Sequence, residues 1–197
     1  MKNVIYFDSL PSPLGAMVLA SDGDALTGAW FEGQRHQPPF GPGWQRRGDL
    51  PILRRAAAEL ARYFAGDRTR FELPLAPAGT AFQRAVWTAI AGVPYGETIA
   101  YHELAAFAGR PRSIRAAGGA TGRNPLSIVI PCHRVVAADG ALTGYAGGLA
   151  RKRALLELER AVVATASVQR AAGGLVASPA RAAMPGAASA CQCDSPT

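Results

Sequence analysis

Short apolar runs separated by turn residues open the chain and predict β-strands. These runs lie at Val4–Phe7, Ala16–Ala20 and Ala25–Phe31, and stretches rich in Ser, Pro, Asp and Gly lie between them. Runs of this length with such boundaries are typical of strands joined by turns. We therefore predict three strands of an antiparallel sheet.

Helical periodicity follows a long loop. The segment Gly33–Gly48 is rich in Gly and Pro, and from Pro51 to Phe64 the apolar residues recur at helical spacing with charges between them. Gly66 is placed to end this helix. A Pro-rich bridge, Leu73–Gly79, comes next, so residues 1–75 are predicted to form a small N-terminal α/β domain.

The chain beyond the bridge is predicted to be mostly helical. Thr80 is placed to cap a helix that ends at Gly92, a second helix covers Thr98–Ala108, and Ser113 caps a third that runs to Ala120. Two helices joined by a short turn with glycine are the pattern of helix-turn-helix modules, and also of many small helical cores. A last helix is predicted over Leu149–Val163.

The remaining residues, 164–197, have a different composition. They are rich in Ala, Ser, Gly and Pro and lack apolar periodicity, which predicts a disordered tail. We interpret Cys191 and Cys193 in this tail as incidental. The domain boundaries predicted from the sequence are therefore 1–75, 80–163 and 164–197.

Composition describes a globular protein. The chain has 197 residues, of which 49% are hydrophobic and 18% charged. Asp8 interrupts the N-terminus before an apolar run reaches signal length, and no stretch approaches the roughly 20 apolar residues of a membrane span. Three cysteines are too few for a disulfide framework, which fits a reducing compartment. We predict a cytoplasmic protein with no membrane partner.

The positive charge is concentrated in the middle of the chain. The net charge is +7, and residues 80–160 hold ten Lys and Arg against five Asp and Glu. A basic block of this kind favours a polyanionic partner such as nucleic acid. The alternative is that the arginines only keep an apolar domain in solution, and charge alone does not decide between the two.

The segment Ile128–Val136 holds the candidate chemistry. Its β-branched run is interrupted by Pro131, Cys132 and His133, which predicts a buried strand that ends in a turn fixed by the proline. Free cysteines are often buried and inert. Here the adjacent histidine, the nearby arginines, Asn124 upstream and Glu159 as an orienting carboxylate favour a nucleophile.

The third predicted helix contains an unusual glycine pair. Gly118 and Gly119 each cost about 1 kcal/mol relative to alanine inside a helix, so a structural helix would need a packing reason to keep them. Small residues let a partner approach the backbone closely. Arg115, one turn earlier, would project toward the same partner.

Four motifs together resemble one family. They are Arg115–Ala120, Asn124–Pro125, Ile130–Val135 and Thr143–Gly148, and with this spacing the chain resembles the O6-alkylguanine-DNA alkyltransferases. The resemblance is close over about residues 80–160 and general over 1–75. It implies a ribonuclease H-like sheet with a helix in the N-terminal domain, followed by a winged-helix-like DNA-binding domain that holds the active site.

The resemblance implies an irreversible transfer of the alkyl group from guanine O6 to the protein. Cys132 would be the nucleophile and acceptor, His133 its base, and Glu159 the group that orients the histidine. Tyr101 would protonate the departing guanine, and Asn124 would hold the turn before the cysteine. Because neighbouring residues of a strand point to opposite faces, we expect Cys132 and His133 to communicate through a water molecule.

The resemblance also implies how DNA is bound. The target base must be flipped out of the duplex, with the glycine-rich helix in the minor groove. The implied DNA-binding residues are Arg115, Ala116, Gly118, Gly119, Arg123 and Arg134. The implied pocket residues are Val135, Tyr145, Ala146 and Gly147.

The predicted partner is double-stranded DNA that contains O6-alkylguanine, bound by a monomer. Alkyl size, activity on O4-alkylthymine and cooperative assembly along DNA stay open. No cofactor is predicted. Since no cysteine precedes Cys132, the N-terminal metal site of some family members is not expected either.

Two other functions remain as alternatives. A non-catalytic DNA-binding regulator would share the basic face, but it would not need Cys132 together with His133, Tyr101 and Glu159. A cysteine hydrolase would need an oxyanion hole and would turn over repeatedly. A dead-end thioether would exclude the hydrolase.

Overall fold

The chain folds as a small sheet with one helix across it, followed by a helical half. The computed structural model describes residues 4–172. In chain order its elements are β1 Ile5–Leu10, β2 Met17–Ser21, β3 Leu26–Phe31, β4 Trp44–Arg46, α1 Pro51–Phe64, α2 Ala81–Ala91, β5 Ile99–Ala100, α3 Tyr101–Phe107, α4 Ile114–Gly122, a 3-10 turn Cys132–Arg134, β6 Val135–Val136 and α5 Leu149–Ala172.

The first three strands confirm the predicted antiparallel hairpins. β1 pairs with β2, with Phe7 opposite Ala20, and β2 pairs with β3, with Met17 opposite Phe31. The helix predicted from Pro51 to Phe64 is also confirmed, and its buried face packs on the sheet.

The prediction of a three-stranded, purely antiparallel sheet is wrong. A fourth strand, β4, lies inside the segment predicted as loop and pairs parallel to β1, with Ile5 opposite Trp44, so the strand order is β3-β2-β1-β4. Three residues are too few to show an alternating pattern, and only the pairing with β1 makes this segment a strand.

Both faces of β2 are covered. All five of its residues are buried. Met17 and Leu19 join the main core under α1, whereas Val18 and Ala20 face a second apolar layer that includes Trp30. The main core continues into the helical half, so a single apolar cluster crosses the Pro-rich bridge.

The helical half begins as predicted and then differs. Thr80 caps α2 through a bond from the Gln83 backbone N–H, and the Gln83 side chain accepts from Thr80 N. The predicted start of the next helix at Thr98 is wrong: Ile99–Ala100 pair parallel to Val135–Val136, and α3 begins at Tyr101. Ser113 precedes α4 but makes no capping bond with its side chain.

The last helix is longer than predicted. α5 runs from Leu149 to Ala172, so residues 164–172 are helical and not part of a disordered tail. The rest of that prediction, with Cys191 and Cys193, lies outside the described residues. Within residues 4–172, no helix combines the length and apolar character that a membrane span requires.

The free edge of β3 holds the segment that leads to Cys132. Ala29 donates its N–H to Pro125 O at 2.8 Å, and Ser127 donates to Ala29 O at 2.8 Å. These bonds fix the chain a few residues before the cysteine. The N-terminal sheet therefore positions the candidate site, although none of the predicted catalytic residues belongs to it.

Candidate active site

The segment around Cys132 is a double turn and not the predicted strand. Ile128 has a φ of +72°, which a β-branched residue rarely adopts. Ile130 N donates to Leu126 O and Cys132 N donates to Ile130 O, each at 2.8 Å. Residues Cys132–Arg134 then form a 3-10 turn. The strand prediction is confirmed only for Val135–Val136.

Asn124 lies at the centre of this turn. Its amide nitrogen donates to Ile130 O at 2.8 Å and to Cys132 Sγ at 3.1 Å, while its oxygen accepts from Leu126 N at 3.0 Å. Asn124 is buried, so its side chain replaces the backbone bonds that a strand would have made. The amide thereby holds both the turn and the sulfur.

The 3-10 turn contradicts the expectation that Cys132 and His133 point to opposite faces of a strand. Strand alternation does not apply to Cys132 and His133, because both lie in the same tight turn. His133 is fully buried, and its Nδ1 has no hydrogen-bond partner within the described residues. That nitrogen is available as an acceptor, which a base acting through water requires.

Glu159 collects five hydrogen bonds in the interior. His133 Nε2 lies 2.8 Å from Oε1, and Tyr63 Oη donates to the same oxygen at 2.7 Å. Arg134 donates to both carboxylate oxygens at 2.9 Å, and Gly96 N donates to Oε2 at 3.0 Å. A fully buried carboxylate is tolerated because every one of these donors compensates its charge.

These contacts set the charges of the pair. Burial alone would raise the pKa of Glu159, but the bonds from His133 and Arg134 lower it to about 2. Burial lowers the pKa of His133, and the bond to Glu159 only partly opposes this. The imidazole of His133 is therefore neutral near pH 7. Because an ionised Glu159 can only accept a hydrogen bond, Nε2 carries the proton and donates it, and Nδ1 presents a lone pair.

The predicted DNA contact of Arg134 is wrong. Its side chain is 7% exposed and binds both oxygens of Glu159, and a further bond goes to Val93 O at 2.6 Å. The guanidinium also lies over the Tyr95 ring at 5.4 Å. A side chain held in this way cannot reach a phosphate, and its role is to neutralise the buried carboxylate.

Lys152 is a site residue that the sequence reasoning missed. It is fully buried, and its ammonium donates to Val135 O at 2.5 Å and to Thr143 O at 2.7 Å. Burial lowers its pKa to about 8. Helical spacing in the sequence could have identified it. Lys152, Leu155 and Glu159 lie on one face of α5, and the apolar Leu155 indicates that this face, with both charged residues, is buried.

The Cys132 thiol is held in its protonated form. Burial raises its pKa to about 11, although the bond from Asn124 and the charge of Lys152 lower it. Only about one molecule in ten thousand carries a thiolate at pH 7 with such a value. The resting site therefore needs a base to use this sulfur.

The predicted pocket residues make contacts with His133, with one another and with the N-terminal half. Val135 is buried, and the Tyr145 ring meets the His133 ring edge-on at 6.5 Å. Gly147 is packed so closely that a Cβ there would lie 2.8 Å from the Tyr145 ring. Ala146 O accepts from Arg35 N at 3.1 Å, so the N-terminal half braces this loop.

Tyr101 contacts the loop that carries the predicted pocket residues. Its hydroxyl lies 3.3 Å from Gly144 O and 3.4 Å from Thr143 O. Burial raises the pKa of Tyr101, so the phenol is protonated at neutral pH and can donate a proton. Its position at the first residue of α3 follows from the pairing of β5 with β6.

One face of α4 is exposed and basic. Arg115, Ala116, Gly119 and Arg123 are exposed on it, and Gly118 is half-buried. A Cβ at Gly118 would make only an ordinary contact at 3.7 Å, and one at Gly119 would lie 3.8 Å from Arg123. Packing within the described chain therefore does not require glycine at either position, and Gly119 leaves open space on the exposed face.

Comparison with known proteins decides the family. The model for the DNA binding domain of 6-O-methylguanine DNA methyltransferase matches residues 81–161, and the model for its ribonuclease-like domain matches residues 5–77. The chain belongs to the 6-O-methylguanine DNA methyltransferase family. The predicted family, the fold class and the enzyme class are thus confirmed.

Individual family members agree with this assignment over most of the chain. A methylated-DNA–protein-cysteine methyltransferase from Haemophilus influenzae is 43% identical over 79% of this chain and 87% of its own. One from Methanosarcina barkeri is 44% identical, over 79% and 97%. The solved structure of Mycobacterium tuberculosis OGT in complex with DNA has 42% identity and a TM-score of 0.74, and covers 80% of this chain and 94% of its own. The chain is a DNA repair methyltransferase.

Proposed function

We propose that the protein transfers the alkyl group of O6-alkylguanine in DNA to Sγ of Cys132, once per molecule. The observation that carries this proposal is that a sulfur held by Asn124 is directly followed in the chain by a buried, neutral His133 that is hydrogen-bonded to an ionised Glu159. A DNA-binding regulator would have no use for such an arrangement.

The reaction forms an S–C bond and breaks the C–O6 bond. The thiol proton passes to Nδ1 of His133 through a water molecule, and the carboxylate of Glu159 stabilises the imidazolium that forms. Tyr101 gives a proton to a ring nitrogen of the guanine as negative charge develops there. A proton relayed back through water restores the phenol and the neutral imidazole, so the thiol proton ends on the restored guanine, which stays in the DNA strand.

The thioether explains the single turnover. A thioether has no acyl carbon, and a thiolate leaves a methyl carbon poorly, so the water molecule beside His133 does not hydrolyse it. The protein is therefore consumed stoichiometrically. A cysteine hydrolase would instead release product repeatedly.

The proposed DNA complex uses the exposed face of α4. The glycine pair lets this helix enter the minor groove, Arg115 takes the place of the extruded base, and Arg123 contacts a phosphate. We propose that a monomer binds in this way. O4-alkylthymine would reach the same pocket if it were flipped, and it is a second candidate substrate.

Intact-protein mass spectrometry with peptide mapping tests the transfer. After incubation with an oligonucleotide that contains O6-methylguanine, we expect one added methyl group, on Cys132, for each guanine restored. The variant Cys132→Ala should bind the duplex without gaining mass. Bound DNA with no methylated protein in the wild type would refute the transfer and favour a lesion-sensing protein.

A second experiment tests base flipping. Arg115→Ala should lower the transfer rate from a duplex far more than the rate from free O6-methylguanine, since the free base needs no extrusion. Arg54→Ala, on the exposed side of α1, is the matched loss of one positive charge. Equal losses on both substrates in Arg115→Ala would rule out the flipping role.

A further inference from the structure

A groove on the outer face of the sheet lies away from Cys132. Its volume is about 510 Å³, within the range of ligand sites. On the sheet side it is lined by Trp30, Trp44 and His36, and on the helical side by Trp87 and Arg123. It does not include the cysteine, its base or the pocket loop.

Aromatic side chains dominate this groove. All three tryptophans of the chain line it. Trp44 is half-buried, and Phe40, which meets its ring edge-on at 5.2 Å, is 52% exposed. Trp30 and Trp87 are buried, so the open ring surface belongs to Trp44 and Phe40. Exposed apolar surface of this kind, next to a groove, is typical of a binding site.

The position of the rings depends on a glycine. A Cβ on Gly28 would lie 1.8 Å from the Trp30 ring, so the indole lies directly over that residue of the strand. Trp87 is fixed from below by its indole N–H, which donates to Ala120 O at 2.9 Å. Trp30 and Trp87 are therefore held in place before any ligand arrives, which lowers the entropy cost of binding.

The charge of the groove selects the kind of partner. Arg123 and His36 line it, and the described lining residues include no Asp or Glu. His36 also has a φ of +66°, a strained conformation of the kind that occurs at binding sites. Gln83 adds an amide, oriented by the bond from Thr80 N. Flat apolar walls, an amide and uncompensated positive charge match a nucleotide.

We propose that this groove binds one nucleotide of a DNA strand, with its base against Trp44 and its phosphate on Arg123. Arg123 directly follows α4, so the groove continues the exposed face that carries Arg115. Base–aromatic stacking tolerates any sequence, because every base has a π-face. The proposal deepens the proposed function by extending its DNA contact, and its test needs no alkylated base.

Tryptophan fluorescence measures occupancy directly. We expect a short oligothymidylate to quench the emission of the full-length protein in a saturable and salt-dependent manner. Trp44→Leu should weaken binding roughly fivefold to a hundredfold, the range for loss of one base–aromatic stack. Trp44→Phe keeps a ring and should retain most of the affinity. Thermal unfolding checks that each variant is folded.

Arg123→Ala separates charge from stacking. It should weaken binding and lower the slope of log affinity against log salt by about one. Arg54→Ala is the matched control, because α1 covers the opposite face of the sheet. Affinities in Trp44→Leu and Arg123→Ala equal to that of Arg54→Ala would overturn the proposal. So would a protein dimer that Trp44→Leu dissociates, because a second copy would then fill the groove.

The two proposals fail separately. If oligothymidylate binding depends on Trp44 and Arg123 while Cys132 is never methylated, the groove proposal is supported and the proposed function is refuted. If Cys132 is methylated while both substitutions leave the oligothymidylate affinity unchanged, only the groove proposal is refuted.

Discussion

Replacing Glu159 with glutamine tests the buried cluster most directly. Gln keeps the size of the side chain but removes its charge. It leaves the guanidinium of Arg134 buried without an anion. Three N–H donors, two on Arg134 and one on Gly96, then face an amide in which only the oxygen can accept a hydrogen bond. The substitution therefore breaks several contacts without creating a cavity.

Two estimates give the size of the effect. Breaking a buried ion pair by removing one partner costs about 3–5 kcal/mol. The pKa of Glu159 is about 2, against an ordinary 4.5, and this difference corresponds to about 3 kcal/mol of stabilisation of the charged form. Glu159→Gln should thus lower the Tm by roughly 6–20 °C for a chain of this size.

The effect should depend on pH in a defined direction. A carboxylate whose pKa is depressed in the folded state stabilises the fold above its unfolded pKa, and that stabilisation is lost as the pH falls toward the folded pKa. The difference in unfolding free energy between wild type and Glu159→Gln should therefore be full at pH 7 and shrink between pH 4.5 and about 2. Urea unfolding at several pH values measures it.

The same variant should slow the reaction. Without the carboxylate, the pKa of His133 loses the contribution that raises it, so the imidazole becomes a weaker base for the Cys132 proton. Single-turnover transfer from O6-methylguanine measures the rate. Glu157→Gln, exposed on the same helix, is the matched control and should change stability by less than about 0.5 kcal/mol. Equal Tm values and rates in the two variants would refute the reasoning.

Three further outcomes are expected. Asn124→Ala removes the side-chain hydrogen bond that lowers the pKa of Cys132, so the thiol should react more slowly with iodoacetamide at each pH. The free energy of unfolding should also fall by about 1–3 kcal/mol. An unchanged alkylation rate would contradict this prediction. Lys152→Met should lose stability relative to wild type as the pH rises from 8 to 10.5, because the wild-type lysine releases its proton earlier in the folded state; parallel unfolding curves would contradict it. Gly147→Ala should lower the free energy of unfolding by about 1–3 kcal/mol through its clash with Tyr145, whereas Gly122→Ala, which meets open space, should not destabilise.

Local patterns predicted much of the architecture. The strands β1 to β3, the helix Pro51–Phe64 and the Thr80 cap follow from spacing, turn residues and capping chemistry, which act over a few residues. The sequence also predicted the helix α4 and identified its glycine pair, because glycines are unfavourable inside a helix. The motif around Cys132 led to the family before any geometry was known.

Long-range contacts account for the errors. β4 and β5 are too short to carry a pattern and exist only because β1 and β6 pair with them. The strand predicted at Ile128–Val136 became a double turn, because the Asn124 side chain supplies the bonds that a neighbouring strand would have supplied.

Charge was the property that the sequence alone could not place. Arg134 and Lys152 counted toward a basic block that favoured DNA, yet both are buried, one on Glu159 and one on two carbonyl oxygens. The sequence determined which residue types the site contains and roughly where the helices and strands lie, since those depend on neighbours along the chain. The tertiary structure decided which charges face solvent and which face each other, because burial and pairing depend on residues far apart in sequence.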